Sequence, residues 1–85
     1  MPYIKKEDRE IYEEMLEEAK SQGIANAGDL NYLITMLCKQ YAAECGECYR
    51  TYNEVIGVLE CAKQEYYRRR VAPYEDTKIK SNGDV

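Results

Sequence analysis

The sequence contains no histidine, no tryptophan and no phenylalanine. The missing histidine removes the commonest general base near neutral pH and the commonest metal ligand. The only serines are Ser21 and Ser81, both in segments that read as loops. An activated serine nucleophile would have no histidine to serve as its base. No apolar run approaches the roughly 20 residues a membrane-spanning helix needs. The opening MPYIKKEDRE is charged where a signal peptide is apolar, so the chain reads as cytoplasmic. There is no internal repeat and no low-complexity tract.

What is present is 85 residues, enough for one domain with a modest core and a thin stability margin. The aromatics are nine tyrosines. A tyrosine has an apolar ring and a polar tip, which suits half-buried positions, interfaces and ligand pockets. The net charge of −4 argues against binding duplex nucleic acid. The charge is also uneven. Lys5 to Lys20 holds seven acids against four bases, and Cys61 to Lys80 holds six bases against three acids. Such asymmetry steers anionic ligands to the C-terminal part, or lets unlike ends of two chains meet.

Three stretches have helical periodicity. Ile4, Ile11, Tyr12, Met15, Leu16 and Ala19 predict an amphipathic helix over 6–21, broken on its apolar face by Asp8 and ended in a left-handed cap at Gly23. Asn26 predicts the N-cap of a second helix over 27–44, with Leu30, Leu33, Ile34, Leu37, Cys38 and Tyr41 in one stripe. Thr51 and Glu54 have capping-box spacing and predict a third helix over 51–71, with an alternative start near Cys48. Gly57, inside it, reads either as tolerated or as the mark of a close neighbour. Pro73 is expected to end or bend this helix, which puts Arg68 to Arg70 in a last turn favoured by the helix dipole. Residues 73–85 then read as a tail or a mini-hairpin around Asn82-Gly83. The predicted fold is all-α: a three-helix domain over 1–85 with a long antiparallel helical hairpin from the second and third helices.

Four features are candidates for chemistry. Cys45 and Cys48 form a CxxC pair, and Cys38 and Cys61 would complete a four-cysteine zinc set. A second CxxC is missing, and Cys38 and Cys61 fit helix stripes or their edges, so ordinary reduced thiols are the simpler reading. Glu13, Glu14, Glu17 and Glu18 read as a solvated face. The run Tyr66-Tyr67-Arg68-Arg69-Arg70 offers guanidinium groups for phosphates and rings for bases. It also reads as an ordinary helix end paired with the acidic first helix. Asn31, Tyr32, Thr35, Asn53 and Gln64 carry the donors and acceptors of a ligand pocket, as a solvated helix face also does.

The segments MPYIKKEDR, GDLNYLIT, NEVIGVLEC, YRRRVAPYED and NGDV resemble a family of small helical proteins found in phages, prophages and their bacterial hosts. The resemblance covers nearly the whole chain, with the CxxC pair outside it. It implies a helical fold and, for a phage-encoded copy, the host cell cytoplasm. By size, helical build and setting it suggests a role like that of phage sponges. Those small oligomers sequester nucleotide signals of immune systems such as Thoeris and CBASS.

The combined expectation is a homo-oligomer that is not an enzyme, needs no cofactor or metal, and sequesters a small phosphorylated nucleotide as an anti-defence sponge. The candidate site joins Asn31, Tyr32, Thr35 and Asn53 to Arg68, Arg69 and Tyr74, between protomers. The alternative is an adaptor or inhibitor acting on a host protein through the same tyrosines, with no small-molecule ligand.

Overall fold

The computed structural model describes residues 4–85. Pro2 and Tyr3, part of the opening motif, lie outside the described residues. The chain is all-α, with no strand among the described residues. It divides into two compact units, one ending at Tyr41 and the other spanning Ala42–Val85. The expected pairing of the second and third helices falls across that boundary.

The first unit opens with two 3-10 turns, Lys6–Asp8 and Glu10–Tyr12, before α1 (Glu13–Gln22). The predicted α-helix from Lys6 is thus replaced by tighter turns in its first third. Glu7, Glu10, Glu13 and Glu14 repeat like charges at three- and four-residue spacing, which disfavours a regular α-helix, and 3-10 turns are frequent at helix starts. α1 ends at Gly23, whose N–H donates to the Ala19 carbonyl at 2.9 Å. Gly23 has φ 78° and ψ 159°. That is an extended positive-φ conformation and not the predicted left-handed cap, and a Cβ would strain it.

α2 (Ala27–Cys45) is capped as its sequence predicts. The Asn26 side-chain oxygen accepts the Asp29 N–H at 2.9 Å. A Cβ on Gly28 would lie 3.2 Å from that oxygen, so glycine leaves the cap its room. The predicted stripe of α2 stays open. Leu30 is 47% exposed and Leu37 53%. No described residue up to Tyr41 is buried.

The second unit begins with the last turn of α2. Gly46, at φ 106°, ends that helix by donating to the Ala42 carbonyl at 2.9 Å. α3 (Tyr49–Tyr66) comes next with Cys48 as its N-cap, so the earlier of the two predicted starts is adopted. Thr51 lies inside the first turn and is buried, and the Tyr52 N–H bonds to the Cys48 carbonyl at 3.0 Å. Ala42 and Thr51 are the buried residues among those described. A Cβ on Gly57 would meet nothing within 4 Å, so no close neighbour in this chain calls for glycine there.

Pro73 does not stop the helix. α3 passes into a π-helical turn, Tyr67–Val71, and then into α4 (Ala72–Asn82). The predicted tail or mini-hairpin over 73–85 is therefore corrected to a helix as far as Asn82. In a regular α-helix the Pro73 ring would press on the Arg69 carbonyl and offer it no N–H. The π turn widens the backbone just before Pro73. The Ala72 N–H reaches back to the Tyr67 carbonyl, and Pro73 falls in the first turn of α4, where its missing donor costs least. A lone hairpin of this size would not hold, whereas a helix satisfies its own backbone. Gly83 closes α4 by donating to the Ile79 carbonyl at 2.8 Å.

Candidate functional site

The site builds on the junction of α3, the π turn and α4. Continuation into α4 changes the setting of the arginines. The sequence predicts them at a helix C-terminus, favoured by the dipole. Instead Arg68, Arg69 and Arg70 stand inside a continuous helical run. Glu65, on the last turn of α3, engages two of them. Arg68 Nη2 donates to Glu65 Oε1 at 3.1 Å and Oε2 at 3.2 Å, and Arg69 Nε donates to Oε1 at 2.5 Å. Arg70 makes no ion pair among the described residues. Exposed ion pairs of this kind are weak and exchange readily, so the guanidinium groups are oriented without being sequestered.

Two tyrosines flank the arginines. The Tyr67 hydroxyl donates to the Glu75 carboxylate on α4, which ties the π turn to the next helix. That bond, with the negative charge of Glu75, pushes the phenol above its ordinary value. Tyr74 is 60% exposed, and Lys78 Nζ stands 5.5 Å from its ring centroid, a cation–π contact that occupies one face. A shallow cleft of about 500 Å³ lies along α4, lined by Tyr67, Glu75, Asp76, Lys78 and Asp84 among others. Its acids outnumber its single base, so it repels a phosphate.

The predicted site residues are spread over both units. Arg68 and Arg69, on the π turn, and Tyr74, on α4, stand on one continuous helical run in the second unit. Asn53 is on α3 in the same unit, about 20 Å from Arg68 along the helix at 1.5 Å per residue. A small ligand cannot touch Asn53 and Arg68 of one chain together. Asn31, Tyr32 and Thr35 belong to α2 in the first unit. The Thr35 hydroxyl donates to the Asn31 carbonyl at 2.9 Å, so its proton is committed within the helix. Tyr32 is 63% exposed. Sequence reasoning missed Glu65 and Glu75. Glu65 had a signal, because an acid three and four residues before arginines is a standard helix pairing. The Tyr67–Glu75 bond had none, since it depends on α4.

The cysteines are reduced among the described residues, and no group of three or more His, Cys, Asp or Glu side chains there is arranged to hold a metal ion. Cys48 is distinctive as the N-cap of α3. The Thr51 hydroxyl, 3.5 Å from its sulfur, is the chief cause holding the thiol below its ordinary value. A lowered thiol is more fully thiolate near neutral pH and reacts faster. Thr51→Val is therefore expected to move the pH midpoint of Cys48 alkylation upward and slow the reaction near neutrality, as read by mass spectrometry of iodoacetamide-treated protein. Superimposable pH profiles for the two proteins would contradict this role of Thr51.

No described helix is long and apolar enough to cross a membrane. No curated protein and no solved structure matches the chain. One family does match, over residues 1–85: the chain belongs to DUF6899, a domain of unknown function.

Proposed function

We propose that this chain binds a small phosphorylated nucleotide at the Arg68–Arg70 turn and acts by holding it. One observation carries the reading. Three consecutive arginines occupy a π turn in mid-run, where no helix end favours them and their like charges repel. π turns give up regular hydrogen bonding and recur at functional sites. Guanidinium groups grip phosphate oxygens in pairs, and the exposed rings of Tyr66 and Tyr74 offer faces for a base. In this reading binding is itself the activity. Together with the resemblance to phage and prophage proteins, this makes the ligand class the nucleotide immune signals of bacterial hosts. The role is that of an anti-defence sponge in the host cytoplasm.

Glu65 supplies the test. It competes with phosphate for Arg68 and Arg69 and adds a repelling charge beside them. Glu65→Gln is expected to tighten nucleotide binding several-fold, as read by native mass spectrometry against a panel of mono-, di- and cyclic nucleotides. Wild-type protein that retains no nucleotide from the panel, or unchanged affinity in the variant, would remove the proposal.

A second reading, a protein adaptor or inhibitor, is favoured by the open apolar stripe of α3. Tyr52, Ile56 and Tyr66 lie along one side of that helix at 48%, 65% and 66% exposure. Capture of a host protein that survives nuclease and dialysis, with no small molecule carried along, would favour it.

A further inference from the structure

We infer that the aliphatic cleft of the first unit is the surface through which two copies of this chain pair. The cleft, of about 610 Å³, lies between α1 and α2 and is lined by Met15, Leu16, Ile24, Leu33 and Leu37 among others. Lys39 is its one charged lining residue among those described. Leu30, Leu33, Ile34 and Leu37 have the three- and four-residue spacing of a helix-packing seam. Each of them is at least 38% exposed, as are Met15 at 54% and Leu16 at 60%.

The absence of a core points to the occupant. No described residue of this unit is buried, and units of about 40 residues seldom fold without oligomerisation, metal or disulfides.

A unit without its own core needs an occupant that is always present in equal amount, and another copy of the same chain meets that condition. A two-fold pairing sets the same patch against itself, so both open stripes are covered at once. The near absence of charge in the cleft lets two identical surfaces approach without repulsion. The inference stands independently of the nucleotide reading, because none of these residues belongs to the arginine turn.

The test is the mass of the wild-type chain at micromolar concentration, by light scattering and native mass spectrometry. The expected result is two chains or a multiple of two. Leu33→Glu is expected to abolish association, while Ile56→Glu on α3 leaves it intact. Should Leu33→Glu fail to fold, a photo-reactive benzoylphenylalanine at position 33 decides, since it is expected to cross-link one copy to another. A helical wild-type monomer, a Leu33→Glu protein as associated as the wild type, or a position-33 adduct made only with a different protein would each overturn the inference.

Discussion

Replacing Arg68 and Arg69 together by alanine is expected to weaken nucleotide binding by about 100-fold. Hydrogen bonds to charged groups are among the stronger ones a surface site makes. Arg70→Ala alone is expected to cost about 10-fold. Arg70 has no competing ion pair among the described residues, so its loss is not offset by the release of an acid. Titration calorimetry with the tightest nucleotide of the panel measures both effects. The salt dependence of binding should flatten as arginines are removed. Lys80→Ala, in the last turn of α4, serves as the charge-matched control. If the control weakens binding as much as the arginine variants do, attraction by bulk charge replaces the site, and if none of them matters, the arginines are not a ligand site.

Ala42→Leu is the second large expectation, and it concerns the fold. Ala42 is 6% exposed, in a chain where Thr51 is the one other buried residue described. It lies one turn before Gly46, whose N–H it accepts. A leucine is larger than the alanine this closed position holds, and overpacking of this kind costs about 1–3 kcal/mol. For a domain of this size that is a fall of about 5–20 °C in Tm. Ala43→Leu is the control, because the neighbouring residue is exposed and such surface changes stay within about 0.5 kcal/mol. Calorimetry or thermal circular dichroism distinguishes the two. Equal melting temperatures for the two variants would mean that the second unit does not depend on the packing around Ala42.

Much of this architecture is legible residue by residue. Asn26 reads as a cap because its side chain can reach the amide three residues on, and it does so at 2.9 Å. The start of α3 near Cys48 is readable as an alternative to Thr51, and the helix takes it. The Glu65 pairing with Arg68 and Arg69 is readable too, from three- and four-residue spacing, although the arginines draw attention from it. Pro73 misleads. The rule that proline ends a helix concerns regular α-helix, and here the chain widens by one residue before it. A π turn has no compositional signature, so neither α4 nor the Tyr67–Glu75 bond can be anticipated from residue types.

The candidate site was legible in part for the same reason. Arg68, Arg69 and Tyr74 are close in sequence, so one helical run carries all three. Asn53 is distant along a rigid helical run, and Asn31, Tyr32 and Thr35 belong to another unit. Side-chain type suggested all seven for a ligand, and distance along the helical run separates Asn53 from the arginines of its own chain.

The residue pattern alone settles the all-α class, the course of α2, the start of α3 and which side of each is apolar. Those properties arise from periodicity and capping, which act within a few residues. Tertiary structure alone decided that the arginines stand in mid-run and that the apolar stripes are left open. Hydrogen-bond ring size at the π turn depends on the helix beyond it, and burial depends on which other segments pack nearby. Neither is a property of a residue and its immediate neighbours.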